Sequence, residues 1–261
     1  MTFPVTGGLG DSLASKIESG VNVVMQSVSG VSPIVKFGHC PAATTVETDS
    51  WGLGATIPVY TFVLDVGESL TIESTESADT QLITINLLDE LGIEVDVSIN
   101  LTGDTPLAIP GTYTAVNRAF NSDSTLLTGD VLIKGSGTGN VFAFIDPMDQ
   151  QTTQCIYTVP SNKYCLIRNV SSAMNSSTNQ DASVIVKFLV QEAGGVFRTQ
   201  IRYGLQKRGT SNISSDLIIP ALYTPGSRIK ITFTPDTTAM DVSGEFSAEL
   251  IDINNISDVG A

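Results

Sequence analysis

The sequence predicts an all-β chain built of two antiparallel β-sandwich or jelly-roll-like domains, residues 36–145 and 146–261, preceded by an N-terminal arm, residues 1–35. Three observations predict it. Polar positions are filled by Ser, Thr, Asn and Asp, while Lys and Arg together number only 13 of 261 residues, too few for the exposed faces of helices. Apolar residues recur with a period of two, as at Val184, Val186, Phe188 and Val190. Short runs of this kind are separated throughout by Gly, Pro, Asn, Asp and Ser, the residues that turn a chain.

In the arm, Asp11 or Ser12 can cap a short helix carrying Leu13 and Ile17 on one face. Residues 21–31 then turn β-branched, which suits either a segment that ties one subunit to a neighbour or the first strand of the next domain. In residues 36–145 the predicted strands are Val59–Leu64, Ser69–Glu73, Gln81–Leu88, Glu94–Leu101, Tyr113–Phe120 and Asp130–Lys134. Glu94–Leu101 alternates polar and apolar residues, the mark of a half-buried strand. In the last domain, Cys155–Tyr157 and Tyr164–Ile167 are expected to form a hairpin about Pro160-Ser161-Asn162. Ser183–Val190 and Val196–Leu205 are expected to pair about Gly194-Gly195, and Ile229–Thr234 and Phe246–Ile253 complete the set. Phe197, Thr199, Ile201, Tyr203 and Leu205 share one side of their strand, and Arg198, Gln200 and Arg202 the other.

The chemistry-bearing residues do not assemble into a catalytic pattern. His39 and Cys40 are adjacent, and adjacent residues of an extended segment point to opposite sides, so they cannot act as a thiol–imidazole couple. No spacing of Cys or His supplies the three or four ligands of a zinc site, and no Asp-x-Asp-x-Asp-Gly calcium loop occurs. Gly135–Asn140 is glycine-rich but leads into the strand-like Val141–Ile145, not into a helix whose N-terminus could hold phosphate, and reads as a hairpin turn. Glu94 and Asp96 share a strand face, but that face reads as solvated. The expectation is a non-enzymatic protein with no metal and no cofactor. The three cysteines, with no signal-peptide pattern at the N-terminus, are expected to be reduced thiols of a chain made in a bacterial cytoplasm.

The formal net charge is −14, which disfavours nucleic acid and anionic membrane as partners, and no apolar run reaches the 18 residues of a membrane-spanning helix. Charge is uneven. Residues 1–117 carry fourteen acids against Lys16 and Lys36, whereas residues 118–261 carry thirteen acids against eleven cations. The strongest cationic cluster is Arg198, Arg202, Lys207 and Arg208, which suits either a solvated strand face or contact with an acidic partner, a neighbouring copy included. Glycan binding is the weakest reading, since one Trp and six Tyr, several alternating with core residues, leave few aromatics to display.

Several phrases carry a resemblance. Ile156–Tyr164, Ala182–Val190, Gly194–Arg198 and Tyr203–Gln206, with Val116–Phe120 and Phe37–Pro41…Trp51 upstream, resemble in sequence and order a family of structural proteins from marine and cyanobacterial tailed phages. The resemblance covers roughly residues 36–254 and leaves the arm outside. It implies a virion protein of the capsid decoration (cement) or head-fibre type on the outer capsid surface, homotrimeric and partnered by the major capsid protein. The alternative is a tail, neck or fibre component.

Overall fold

The computed structural model describes residues 29–175, 181–207, 213–237 and 240–255. Among these the chain is built of strands, with one 3-10 turn at Ile253–Asn255. Two sheets face each other. One runs β1 (Val31–Ala43), β15 (Met240–Asp252), β10 (Lys163–Asn175), β13 (Ile213–Tyr223). The other runs β12 (Arg198–Lys207), β11 (Ala182–Gln191), β14 (Arg228–Pro235), β2 (Thr48–Asp49). Every pairing is antiparallel. Counted in chain order, the eight strands lie first-eighth-third-sixth against fifth-fourth-seventh-second, which is jelly-roll wiring. The alternation seen in the sequence fills the space between the sheets. Val184, Val186, Phe188 and Val190 of β11 meet Ile229, Ile231 and Phe233 of β14, and Phe246 and Leu250 of β15 close the core from the opposite sheet.

The connection between the second and third strands of this jelly roll holds a second structure. It is a six-stranded antiparallel sheet in the order β5 (Glu94–Asn100), β4 (Leu82–Asp89), β6 (Leu107–Asn121), β3 (Glu68–Ser74), β7 (Val131–Gly135), β8 (Val141–Ile145). Its own core gathers Leu70, Ile72, Ile83, Ile85, Leu87, Ile109, Ile133 and Phe142. The Gly135–Asn140 loop is the β7–β8 hairpin turn, closed by the Gly139 N–H donating to the Gly135 carbonyl at 2.8 Å. Gly194, at φ +72°, turns β11 into β12.

Strand pairing runs across the expected divisions at 35/36 and 145/146. Val31–Ala43 and Thr48–Asp49 pair with the last strands of the chain, and none of the inserted sheet pairs with them. A β-strand needs a partner edge, and the one that matches β1 residue for residue is β15, from Val31 opposite Ile251 to Cys40 opposite Val242. The predicted helix at Asp11–Ile17 lies outside the described residues.

Two strand assignments are corrected. Val59–Leu64 is an extended connector, not a strand, because side chains satisfy its backbone. The Asp49 carboxylate accepts the Tyr60 N–H at 2.7 Å, and Arg228 donates to the Val63 carbonyl at 2.7 Å. Cys155–Tyr157 does not fold back onto Tyr164–Ile167. Its strand, β9 (Ile156–Thr158), pairs with the start of β14, while β10 joins the opposite sheet. The Pro160–Asn162 turn carries the chain from one sheet to the other, and Val159 is held on the first by its N–H to the Ser227 carbonyl at 2.9 Å. β13, not foreseen, is an edge strand containing Pro220; a residue without an N–H is tolerated there.

Candidate functional site

The most elaborate polar chemistry lies at the seam between the jelly roll and the inserted sheet. Asn117 of β6 is buried and uses its amide as a backbone would. Its Nδ2 donates to the Thr158 carbonyl at 2.9 Å and its Oδ1 accepts the Thr158 N–H at 2.9 Å. The Asn117 carbonyl in turn accepts from the buried Lys36 ammonium of β1. Gln154 donates to the Val116 carbonyl at 3.2 Å. Beside them Trp51, Tyr60 and Phe62 stack edge to face, Trp51 to Tyr60 at 5.2 Å, and the Tyr60 hydroxyl donates to the Phe142 carbonyl at 2.8 Å. Gly38 is required here: a Cβ would sit 2.2 Å from the Ser50 carbonyl oxygen and 2.4 Å from the Cys155 nitrogen, both backbone.

The outward face of β14 is also covered. The Lys230 ammonium lies 2.8 Å from the buried Asp49 carboxylate and over the Phe197 ring, 4.8 Å from its centre. Burial pushes the Asp49 carboxyl up, with Lys230 opposing the shift. Glu47 bridges Lys187 at 2.7 Å and Thr232 at 2.8 Å. Burial also depresses the Lys36 ammonium to about 8 and raises the thiols of Cys40 to about 11 and Cys165 to about 12. These buried groups tie elements together, and none of the three thiols forms a disulfide.

The basic strand is less uniform than alternation suggests. Register slips between Phe188 and Leu189, so Arg202 lies opposite Lys187 whereas Arg198 lies opposite Val190. The bulge at Gln200 therefore breaks the single Arg198–Arg202 stripe. Both arginines are exposed, and neither has an ion-pair partner among the described residues. Lys207 closes β12, and Arg208 lies outside the described residues. His39 and Cys40 do point apart: His39 Nε2 meets Asp241 Oδ1 at 2.6 Å while Cys40 is fully buried. Among the described residues no three His, Cys, Asp or Glu side chains gather as metal ligands.

Charge sorts by structure. Residues 56–152 carry fourteen carboxylates against Arg118 and Lys134, a net of −12, leaving −2 for the rest of the −14 chain. Two clefts flank the seam. One, of about 390 Å³, lies between the β4–β5 turn at Glu90–Gly92 and the β11–β12 turn at Glu192–Gly194. The other, of about 270 Å³, lies between the start of β1 and the outer face of β4, β5 and β6.

No protein-family model and no curated protein sequence matches this chain. Solved structures similar to it come from virus particles. The cowpea mosaic virus top component, a naturally occurring empty particle, matches at 8% identity and a TM-score of 0.22 over 75% of this chain and 85% of that one. An infectious bursal disease virus structure, Gx strain, matches at 12% and 0.27 over 86% and 71%. The VP2 subviral particle of the same virus matches at 11% and 0.24 over 90% and 78%. At such TM-scores the backbones do not superimpose, and the jelly-roll assignment rests on the strand order itself.

Proposed function

We propose that this chain is a structural, non-enzymatic component of a bacteriophage virion that decorates the outer capsid surface and stabilises it. The observation that carries the reading is the division of charge between a jelly roll and the sheet inserted into it. The near-neutral jelly roll supplies the mounting unit, and the insertion, at −12, projects. Like-charged insertions repel, which keeps a densely displayed protein soluble and its copies oriented outward. In this reading the chain divides into a jelly-roll unit, residues 31–55 and 153–252, and an inserted unit, residues 56–152. Arg198 and Arg202, exposed and without a carboxylate partner among the described residues, with Lys207 and Arg208 beyond in sequence, contact an acidic patch on the major capsid protein or on the next copy of a homotrimer. Such a contact must bury on the order of 1,000 Å² to persist.

Counting copies per particle by quantitative mass spectrometry of purified virions tests the proposal. A ratio to the major capsid protein near one, or a simple icosahedral fraction of it, is expected. On the order of a dozen copies or fewer would refute decoration and assign the chain to a tail, neck or fibre of low cyclic symmetry.

A further inference from the structure

The inserted sheet is open along one side. β5 is its outermost strand there, and β4 alone pairs with it among the described residues. The β4–β5 ladder runs without a register shift, and its ends fix which groups it uses. The Asp89 N–H donates to the Ile93 carbonyl at 2.9 Å and the Leu101 N–H to the Gln81 carbonyl at 3.0 Å. Val95, Val97 and Ile99 therefore spend their N–H and C=O groups on β4, whereas Glu94, Asp96, Ser98 and Asn100 turn theirs outward. None of these outward backbone groups has a hydrogen-bond partner among the described residues. The core is open at the same place. Val95, Val97 and Ile99 pack against it yet stay half-buried, because no described strand lies beyond them. Sheet edges are commonly blunted by proline, lysine or a bulge, and β5 has none of these, only two carboxylates on its polar face.

An extended segment with one apolar face and one uncharged polar face would close this edge, and the chain holds one nearby. Residues 1–28 precede the described part of the chain, and 21–28 read Val-Asn-Val-Val-Met-Gln-Ser-Val, without a charge. In a strand, Val21, Val23 and Met25 fall on one side and Asn22 and Gln26 on the other. The chain enters the fold close to where β5 begins. The Gly30 carbonyl accepts the Asp252 N–H at 2.8 Å, the neighbouring Ile253 donates to the Asn162 carbonyl at 3.0 Å, and Ser161 donates at 2.8 Å to the carbonyl of Gly92, in the β4–β5 turn. Eight extended residues span about 27 Å, enough to follow the whole of β5. The free edge of β1, nearer in sequence, suits the segment less. The Gly30–Asp252 bond sets the odd-numbered residues of β1 toward that edge, where Pro33 has no N–H and His39 already donates to the Thr153 carbonyl. A second copy's β5 suits it less too, since two insertions of net −12 would meet edge to edge. We propose that residues 21–28 pair antiparallel with β5 of their own chain as a seventh strand of the inserted sheet. Val21, Val23 and Met25 then cover Val95, Val97 and Ile99, and the Asn22 and Gln26 amides lie on the face of Glu94 and Asp96, to which they can donate.

Amide hydrogen exchange of the full chain, followed residue by residue by NMR, tests the pairing. The outward N–H groups of Glu94, Asp96 and Ser98 should exchange at least about tenfold more slowly than unprotected amides. Those of Val95, Val97 and Ile99, bonded to β4, are the internal control and should be protected in every folded variant. Replacing Val23 and Met25 together by Asp puts two charges against the open core, and should free the three outward amides while the three inward ones stay protected. Met25→Ser serves in its place if the double variant does not fold. Outward amides that exchange freely in the parent protein, beside protected inward ones, overturn the proposal. Protection that survives the substitutions overturns it as well, since another group must then cover the edge. So does protection that is lost on dilution, which would assign the pairing to a second copy.

Discussion

Replacing Asn117 by Ala should cost more than any other single polar truncation at the seam. The side chain makes two hydrogen bonds, both at 2.9 Å, to the N–H and carbonyl of Thr158, which is itself buried. Alanine removes both and leaves two backbone groups in a place water does not reach. Each such orphan costs about 1–3 kcal/mol, so the loss is about 2–6 kcal/mol. For a chain of this size that corresponds to a melting temperature lower by roughly 5–15 °C. Ser98→Ala, on the exposed face of β5, is the control and should shift stability by no more than about 0.5 kcal/mol. Calorimetry and urea titration measure the effect. The seam joins two separate cores, so the variant should also split one thermal transition into two, as the inserted sheet loses its hold on the jelly roll. A loss below about 1 kcal/mol, with a single sharp transition, would refute the view that Asn117 holds the two structures together.

Three further outcomes follow from the same reasoning. Lys36 titrates near 8 in the folded state against 10.5 unfolded, so between those values the unfolded chain holds the extra proton and the contribution of Lys36 to stability rises with pH; the stability of the parent protein relative to Lys36→Met should therefore rise from pH 7 to 9 by chemical denaturation, a difference in which the thiols' own titration cancels. The three thiols, buried and raised above their ordinary value, should resist iodoacetamide at pH 8 in the native protein and all react once it is unfolded in urea. Gly38→Ala drives a Cβ into two backbone atoms and should cost about 3 kcal/mol or leave the protein insoluble on expression, whereas Gly137→Ala, in open space, should be silent by the same solubility and melting measurements.

Strands were legible where one face is buried and the other wet. β4, β5 and β11 are seen as alternation because the sheet pleat maps burial directly onto sequence. Pairing partners were not legible, because they depend on contacts remote in sequence. Nothing in Val31–Ala43 says that its edge is completed by Met240–Asp252, and nothing in Val59–Leu64 says that Asp49 and Arg228 will occupy its backbone. The basic strand was seen, but the bulge that offsets Arg198 from Arg202 depends on register against β11. The seam was invisible for the same reason: Lys36, Asn117 and Thr158 meet only after the jelly roll has closed around its insertion.

Shortly before the insertion begins and shortly after it ends, Trp51 and Gln154 face each other across a single β-bridge. Partners in such a bridge stand about 5 Å apart. The insertion therefore enters and leaves through one doorway no wider than a hairpin. A linker of a few residues could close that doorway, or a foreign domain with neighbouring termini could be spliced into it, without altering the strand order on either side. The jelly roll is in that sense a socket, and what it presents is interchangeable cargo.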